Sequence, residues 1–380
     1  MRVTCLQENL QRALSIVGRA VASKSTLPVL SNILLEAADD SLVLSATNLD
    51  MGIRYRLPAR VEEPGRVTLQ ARVLSDFVSS LPSGEVELFE DQGPTTMLVR
   101  QGSTQAHVRG HDASDFPALA SDVEGSIRLS VDPQEFREAI EQVVFAAATD
   151  DSRPVLAGVQ VEVAGQTISM AAADGFRMSV RTMQLGLEID EPISIIVPAR
   201  AMSELARVLG ETTEPAQIAV TPNQTQLFAS VPDITFMTRL IDGTFPDLKQ
   251  IIPSDWSTRT VIGRESLLDA TRRAAIFARS NNDVVKFEIL PADADDDVGR
   301  LVITANAADT GDNRDDVDAQ IEGGTLQVAF NGRYLNDLLS VLKSASVALE
   351  LSGPNSAGVF KPIERDDYVH VIMPMVIGAN

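Results

Sequence analysis

VTLQARVLSDFVSSLP (67–82) aligns without a gap to IIVPARAMSELARVLG (195–210) and to VAFNGRYLNDLLSVLK (328–343). In each, alternating apolar residues give way to apolar residues at helical spacing, so a strand runs directly into a helix. Arginine holds the same place in all three, at Arg72, Arg200 and Arg333. Upstream of each lies a pair of alternating runs bounded by Gly, Asp and Asn, the pattern of a hairpin: NILLEAADDSLVLSATNLDM, GVQVEVAGQTISMAAADGFRMSV and KFEILPADADDDVGRLVITANAADT. Downstream, DFPAL, TFPDL and IMPMV place Pro117, Pro246 and Pro374 at a nearly constant period.

Each copy also opens on a helical pattern. The six predicted helices span 8–21, 71–81, 133–147, 200–209, 264–279 and 332–343. The fold class expected is α+β: three tandem copies of one module of two helices and a β-sheet, the architecture that a long fixed period implies. Boundaries fall in the polar stretches SDVEGS and PSDWST, giving modules 1–125, 126–254 and 255–380.

Composition is that of an ordered globular chain of several cores, with 380 residues and 44% hydrophobic content. The opening MRVTCLQENLQRAL lacks the apolar core of a signal peptide, and no run reaches the roughly 18 residues of a membrane span. A cytoplasmic location with no membrane partner is expected. The single cysteine, Cys5, excludes an internal disulfide and reads as a small buried residue of a first strand.

The formal charge of −21 argues, as a whole, against nucleic acid. Resolved by element it does not. The six helices hold twelve Lys and Arg against nine Asp and Glu, and the remainder holds 20 against 44. That segregation points to a basic helical side and an acidic side of strands and loops. Arg12, Ser15 and Arg19 share one stripe of the first helix, and Arg200, Glu204 and Arg207 repeat the arrangement. If such modules close a ring with helices about 8–10 Å apart, six helices enclose little more than side chains, whereas twelve leave a hole of about 35 Å, room for duplex DNA.

Catalytic patterns are missing. No P-loop, G-x-S-x-G, H-E-x-x-H or C-x-x-C accompanies the three histidines, His107, His111 and His370. The acidic runs 293–297 and 309–318 lack calcium-loop spacing and read as solvated loops, so neither metal nor cofactor is expected.

The repeat, together with KSTLPVLSNILL (24–35), ATNLDM (46–51), AAADGFRMSV (171–180), RLIDGTFPDL (239–248), RAAIF (273–277) and VIMPM (371–375), resembles the bacterial sliding clamps, the beta subunits of the replicative DNA polymerase III. The resemblance spans the whole chain. It implies a non-catalytic homodimeric ring around double-stranded DNA, placed by a clamp loader and tethering the polymerase III alpha subunit and other partners that carry a clamp-binding peptide motif.

It assigns DNA contact to Lys24, Arg72, Arg153, Arg200 and Arg207. It assigns a partner-peptide pocket to Leu156, Gly175, Phe176, Arg177 and Met178, to Pro246, Gln250 and Ile251, and to Met373, Pro374 and Met375. Arg177 has two readings within it, holding its loop or meeting an acidic peptide flank. The dimer contact falls on Ile276 and Phe277, opposed in the first module by Ala106, where the family can carry an aromatic. Phe176, Gln250 and Val376 stand where some relatives carry His, Arg and Arg, which leaves open a second reading as a specialised clamp paralogue. An unrelated repeat enzyme is the third.

Overall fold

The computed structural model describes residues 1–22, 26–91, 93, 95–120, 125–150, 152–292 and 298–376. Among them are six α-helices: α1 (Gln7–Val17), α2 (Ala71–Ser80), α3 (Pro133–Val144), α4 (Ala199–Leu209), α5 (Arg264–Ala278) and α6 (Gly332–Val341). Each lies within a span predicted from periodicity, to within a few residues at its ends. α1 stops at Val17 because the chain tightens into a 3-10 turn over Gly18–Ala20. α3 ends in the same way, with Ala146 and Ala147 donating to carbonyls three residues back, at 3.0 and 3.2 Å.

The threefold repeat is visible in strand register. The first strand of each hairpin starts opposite the residue that precedes the second helix: Asn32 faces Gln70, Gly158 faces Pro198 and Val284 faces Asn331. α2, α4 and α6 begin at the next residue in every case. One backbone plan is thus executed three times by sequences with few identities. In the first copy the hairpin closes on Asp39 and Asp40, with φ of +48° and +52°. Two consecutive positive φ values make the two-residue turn whose twist matches that of the flanking strands, and Asp tolerates them better than branched residues do.

The chain forms two compact units, Met1–Arg137 with Ser203–Leu240, and Glu138–Met202 with Ile241–Asn380. The division passes through the middle copy, and backbone pairing shows why. In the first unit, strand Ile234–Arg239 of the middle copy lies antiparallel to Met51–Pro58 of the first, Ile234 facing Tyr55 and Thr238 facing Met51. In the second unit, Arg177–Arg181 pairs with Tyr368–Ile372 of the third copy. Each unit therefore carries one antiparallel sheet that continues across a module boundary, of 13 and 10 strands among the described residues. No described helix is long and apolar enough to cross a membrane.

Cores follow the alternating pattern. In the third copy Phe330 lies between Phe287 and Phe360, edge-on to both at 5.7 Å, and all three are buried. Cys5 is buried in strand Arg2–Leu6 as expected, and burial pushes its thiol up to about 12.

The first copy contains a close backbone crossing. Strand Thr104–His111 meets Gly65–Gln70 through the pairs Thr68–His111 and Leu69–Gly110. A β-carbon on Gly110 would fall 1.5 Å from the Thr68 carbonyl oxygen, so glycine is required for contact rather than for φ. Gly110→Ala is expected to destabilise this unit by about 1–3 kcal/mol, the cost of forcing a methyl into packed structure. Urea denaturation followed by circular dichroism measures it; an unchanged midpoint would contradict the close approach.

Candidate binding cleft

An apolar cleft of about 130 Å³ opens in the second unit, lined by residues from four separate segments. Leu156 comes from the 3-10 turn Pro154–Ala157, and Met178 and Val371 from directly paired positions of two strands. Pro246 comes from the loop before the turn Leu248–Gln250 and Leu248 from the turn itself, and Ile251 follows it, its N–H bonded to the Leu248 carbonyl at 3.0 Å. The strand that carries Val371 runs on into Met373, whose N–H donates to the Phe176 carbonyl at 2.8 Å. Met178, Ala173, Leu248 and Val371 form a buried floor, and Phe176, Ile251 and Met373 an exposed rim, Phe176 at 62%.

The turn that projects Phe176 is built locally. Asp174 Oδ1 accepts the N–H groups of Phe176 and Arg177 at 2.8 and 3.0 Å, an Asx turn, and Gly175 takes a φ of +94° inside it. Arg177 locks this turn to its surroundings. Its Nε donates to Asp174 Oδ2 at 3.1 Å, Nη1 to Asp337 Oδ2 at 2.7 Å and Nη2 to the Phe145 carbonyl at 2.7 Å. The guanidinium also sits 4.2 Å from the Tyr334 ring centroid. Of the two readings of Arg177, the geometry matches the one that holds the loop.

Eight of the sequence-assigned pocket residues therefore line one cleft: Leu156, Gly175, Phe176, Arg177, Met178, Pro246, Ile251 and Met373. Three stand outside the lining. Gln250 directs its amide to Asp247 Oδ2 at 2.9 Å. Pro374 and Met375 lead the chain away, the Met375 N–H bonding to the Ala329 carbonyl at 2.8 Å. Ala173, Leu248 and Val371 belong to the lining and were missed. Each lies within a motif stretch, but Ala173 and Val371 sit in continuous apolar runs and Leu248 in a turn, so no alternation singles them out.

Beneath the cleft runs a chain of buried polar groups. His370 Nδ1 bonds to Ser179 Oγ, Tyr368 Oη lies 3.4 Å from that hydroxyl, and Tyr368 Oη donates to the Gln142 carbonyl at 3.1 Å. Burial, and then the nearby Arg177 charge, push His370 down to about 3.

The basic residues are more dispersed in their surroundings. Arg72 on α2 is 94% exposed, with Asp76 Oδ2 3.7 Å away, and Arg200 on α4 is exposed. Arg207 is bound to Glu204 at 2.6 Å. Arg153 pairs with Asp150 at 3.1 Å, and its Nη1 lies 2.9 Å from where a Gly175 β-carbon would stand, at the mouth of the cleft. Lys24 lies outside the described residues. Arg12, of the basic stripe on α1, is held by Glu211 at 2.9 Å.

Ile276 on α5 is 62% exposed, while Phe277 packs partly against the third module's core. Ala106 is half-buried opposite Val99. Of the acidic runs, 293–297 lies outside the described residues. Asp312, Asp315, Asp316 and Asp318 lie on strand Gly311–Gly323 rather than in a loop, and Asp315 there is bound to Arg273 at 2.6 Å. Among the described residues no three His, Cys, Asp or Glu groups converge as a metal site.

Comparison with known proteins places this geometry among relatives. Models of the N-terminal, central and C-terminal domains of the DNA polymerase III beta subunit match residues 1–120, 130–247 and 249–376. The chain is 33% identical to the beta sliding clamp of Synechocystis sp. and 29% identical to that of Bacillus subtilis, each match covering 99% of both chains. The crystal structure of the DNA polymerase sliding clamp from Bacillus subtilis superposes with a TM-score of 0.91 at 28% identity, over 100% of both chains. That of the Pseudomonas aeruginosa sliding clamp bound to griselimycin gives 0.90 at 30% identity, over 99% of this chain and 100% of that one.

His370 sets an expected pH dependence. Its folded-state value of about 3 lies below the ordinary 6.5, so as pH falls the unfolded chain takes up the proton first. The stability it contributes is whole above pH about 6.5 and declines steadily toward pH about 3. His370→Asn, which cannot charge, is expected to lose less stability than the parent between pH 7 and pH 5, read as the shift in urea midpoint. Parallel losses in the two proteins would assign the acid sensitivity elsewhere.

Proposed function

The chain belongs to the DNA polymerase III beta subunit family, the bacterial DNA sliding clamps, and we propose that two copies close head to tail into a ring around duplex DNA, to which partner proteins dock by a short peptide. The observation that carries the docking part is the cleft, a buried apolar floor with an exposed apolar rim and few polar groups, the usual design of a small binding site. Its Met178 and Met373 suit a site with several occupants, because an unbranched thioether repacks around different side chains. The peptide expected is that of the polymerase III alpha subunit and other clamp-binding proteins, with a glutamine and a Leu-Phe-like pair. The chain acts in the cytoplasm as a scaffold, with catalysis left to the proteins it tethers.

Met178 lies in the floor, and Met178→Ala is expected to weaken a fluorescent polymerase-tail peptide by about 1–3 kcal/mol, the loss typical of a hot-spot side chain. Removing residues 373–380 takes away the rim contributed by Met373 and is expected to abolish binding while the oligomer persists. Undiminished affinity in the truncated protein would place the partner site elsewhere.

DNA is held by topology in this reading. Several helix arginines are answered by neighbouring carboxylates, so affinity for short open duplexes is weak and falls with salt. Protein loaded on nicked circular DNA by a cognate loader is expected to remain, and to be released when the circle is cut. Retention on linear DNA with free ends would refute a closed ring.

The ring needs a heterologous contact used twice, proposed between Ile276 and Phe277 of one copy and the region of Ala106 of the other. The small Ala106 makes this contact weaker than an aromatic would. Ile276→Glu is expected to convert a dimer to a monomer at micromolar concentration by analytical ultracentrifugation. A dimer that survives the substitution would locate the interface elsewhere.

A further inference from the structure

A second cavity, of about 260 Å³, adjoins the cleft. Pro246 and Leu248 line both, so the loop that bounds one also bounds the other. Both sit over the same apolar cluster, to which Ala171, Phe245 and Met178 belong. Their chemistry differs. The second cavity has an apolar base, from Ala171, Val180, Phe245 and Leu248, and a polar wall of Gln160, Glu162, Ser169 and Asp247. Each carboxylate is oriented by a neutral amide: Gln160 Nε2 donates to Glu162 Oε1 at 3.0 Å, and Gln250 Nε2 to Asp247 Oδ2 at 2.9 Å. Gln250, which contributes nothing to the cleft lining, thus acts on the neighbouring cavity.

An apolar base under an anionic wall matches one kind of side chain, a long aliphatic stem with a cationic head. Resting on the reading of the cleft as a peptide site, we propose that this cavity is an accessory subsite that takes a Lys or Arg flanking the apolar motif of the partner peptide. The stem lies on Phe245 and Val180, and the head meets Glu162 and Asp247. The subsite selects among partners that share the same apolar motif, because an acidic flank placed there meets two carboxylates.

The test uses fluorescent peptides with one glutamine and Leu-Phe core and three flanks, Lys-Lys, Ser-Ser or Glu-Glu, placed in turn before and after the core. On the flank that reaches the subsite, the Lys form is expected to bind about tenfold tighter than the Glu form at low salt, with the gap closing near 0.5 M salt. Glu162→Gln with Asp247→Asn is expected to remove that preference and leave the Ser-flanked peptide unchanged. Asp39→Asn with Asp40→Asn, an equal loss of charge in the other unit, is expected to keep it. A preference that persists in the first double variant, or disappears equally in the second, would reduce the effect to overall charge and overturn the subsite. So would equal affinity of all flanks alongside normal binding of the core. Failure of the Ser-flanked peptide to bind at all would instead remove the cleft reading and the subsite with it.

Discussion

The antiparallel pairing of Arg177–Arg181 with Tyr368–Ile372 is the constraint on which the second unit's binding surface depends. It sets Met178 against Val371 on the cleft side and Ser179 against His370 on the buried side. Side chains alternate along a strand, so a slip of one residue turns over the strand that slips. A slip of the first strand would put Ser179 at the cleft and Met178 in the polar layer beneath it, and a slip of the second would put His370 in place of Val371. The same pairing delivers Met373 to the Phe176 carbonyl, so the rim is a by-product of the register that joins the second and third modules.

Arg177 converts that register into a rigid turn. A guanidinium with 10% exposure is costly to desolvate unless its donors are used. Here two carboxylates and a carbonyl use them, and Phe145 and Tyr334 supply aromatic faces. The partners come from α3's end, from the turn itself and from α6, so the turn is tied to both modules of the unit. Phe176 stands exposed because the residues on either side of it are fixed, Gly175 by its positive φ and Arg177 by its charge.

Electrostatics are similarly local. The chain carries a net charge of −21, and Arg12, Arg207 and Arg273 are each engaged by a carboxylate. Counting charges by helix therefore overstates the free positive potential those helices present, because the count ignores neighbours that are distant in sequence. Glu211 lies 199 residues from Arg12 and cancels much of its field.

The module, its threefold repetition and the six helices were legible in the sequence, because apolar periodicity and the strand-to-helix run around Arg72, Arg200 and Arg333 are local properties of the chain. Most cleft residues lie in stretches to which the family resemblance pointed, whereas Ala173 and Val371 escaped because their direction depends on strand register, and Leu248 because a turn aims it. Tertiary structure alone decided that the middle module is divided between two compact units, since main-chain pairing of Ile234–Thr238 with Met51–Tyr55 and of Arg177–Arg181 with Tyr368–Ile372 leaves no mark on composition. It also decided which charges are free. Whether an arginine faces water or a carboxylate is settled by chain segments that folding brings together, and spacing along one helix does not contain that information.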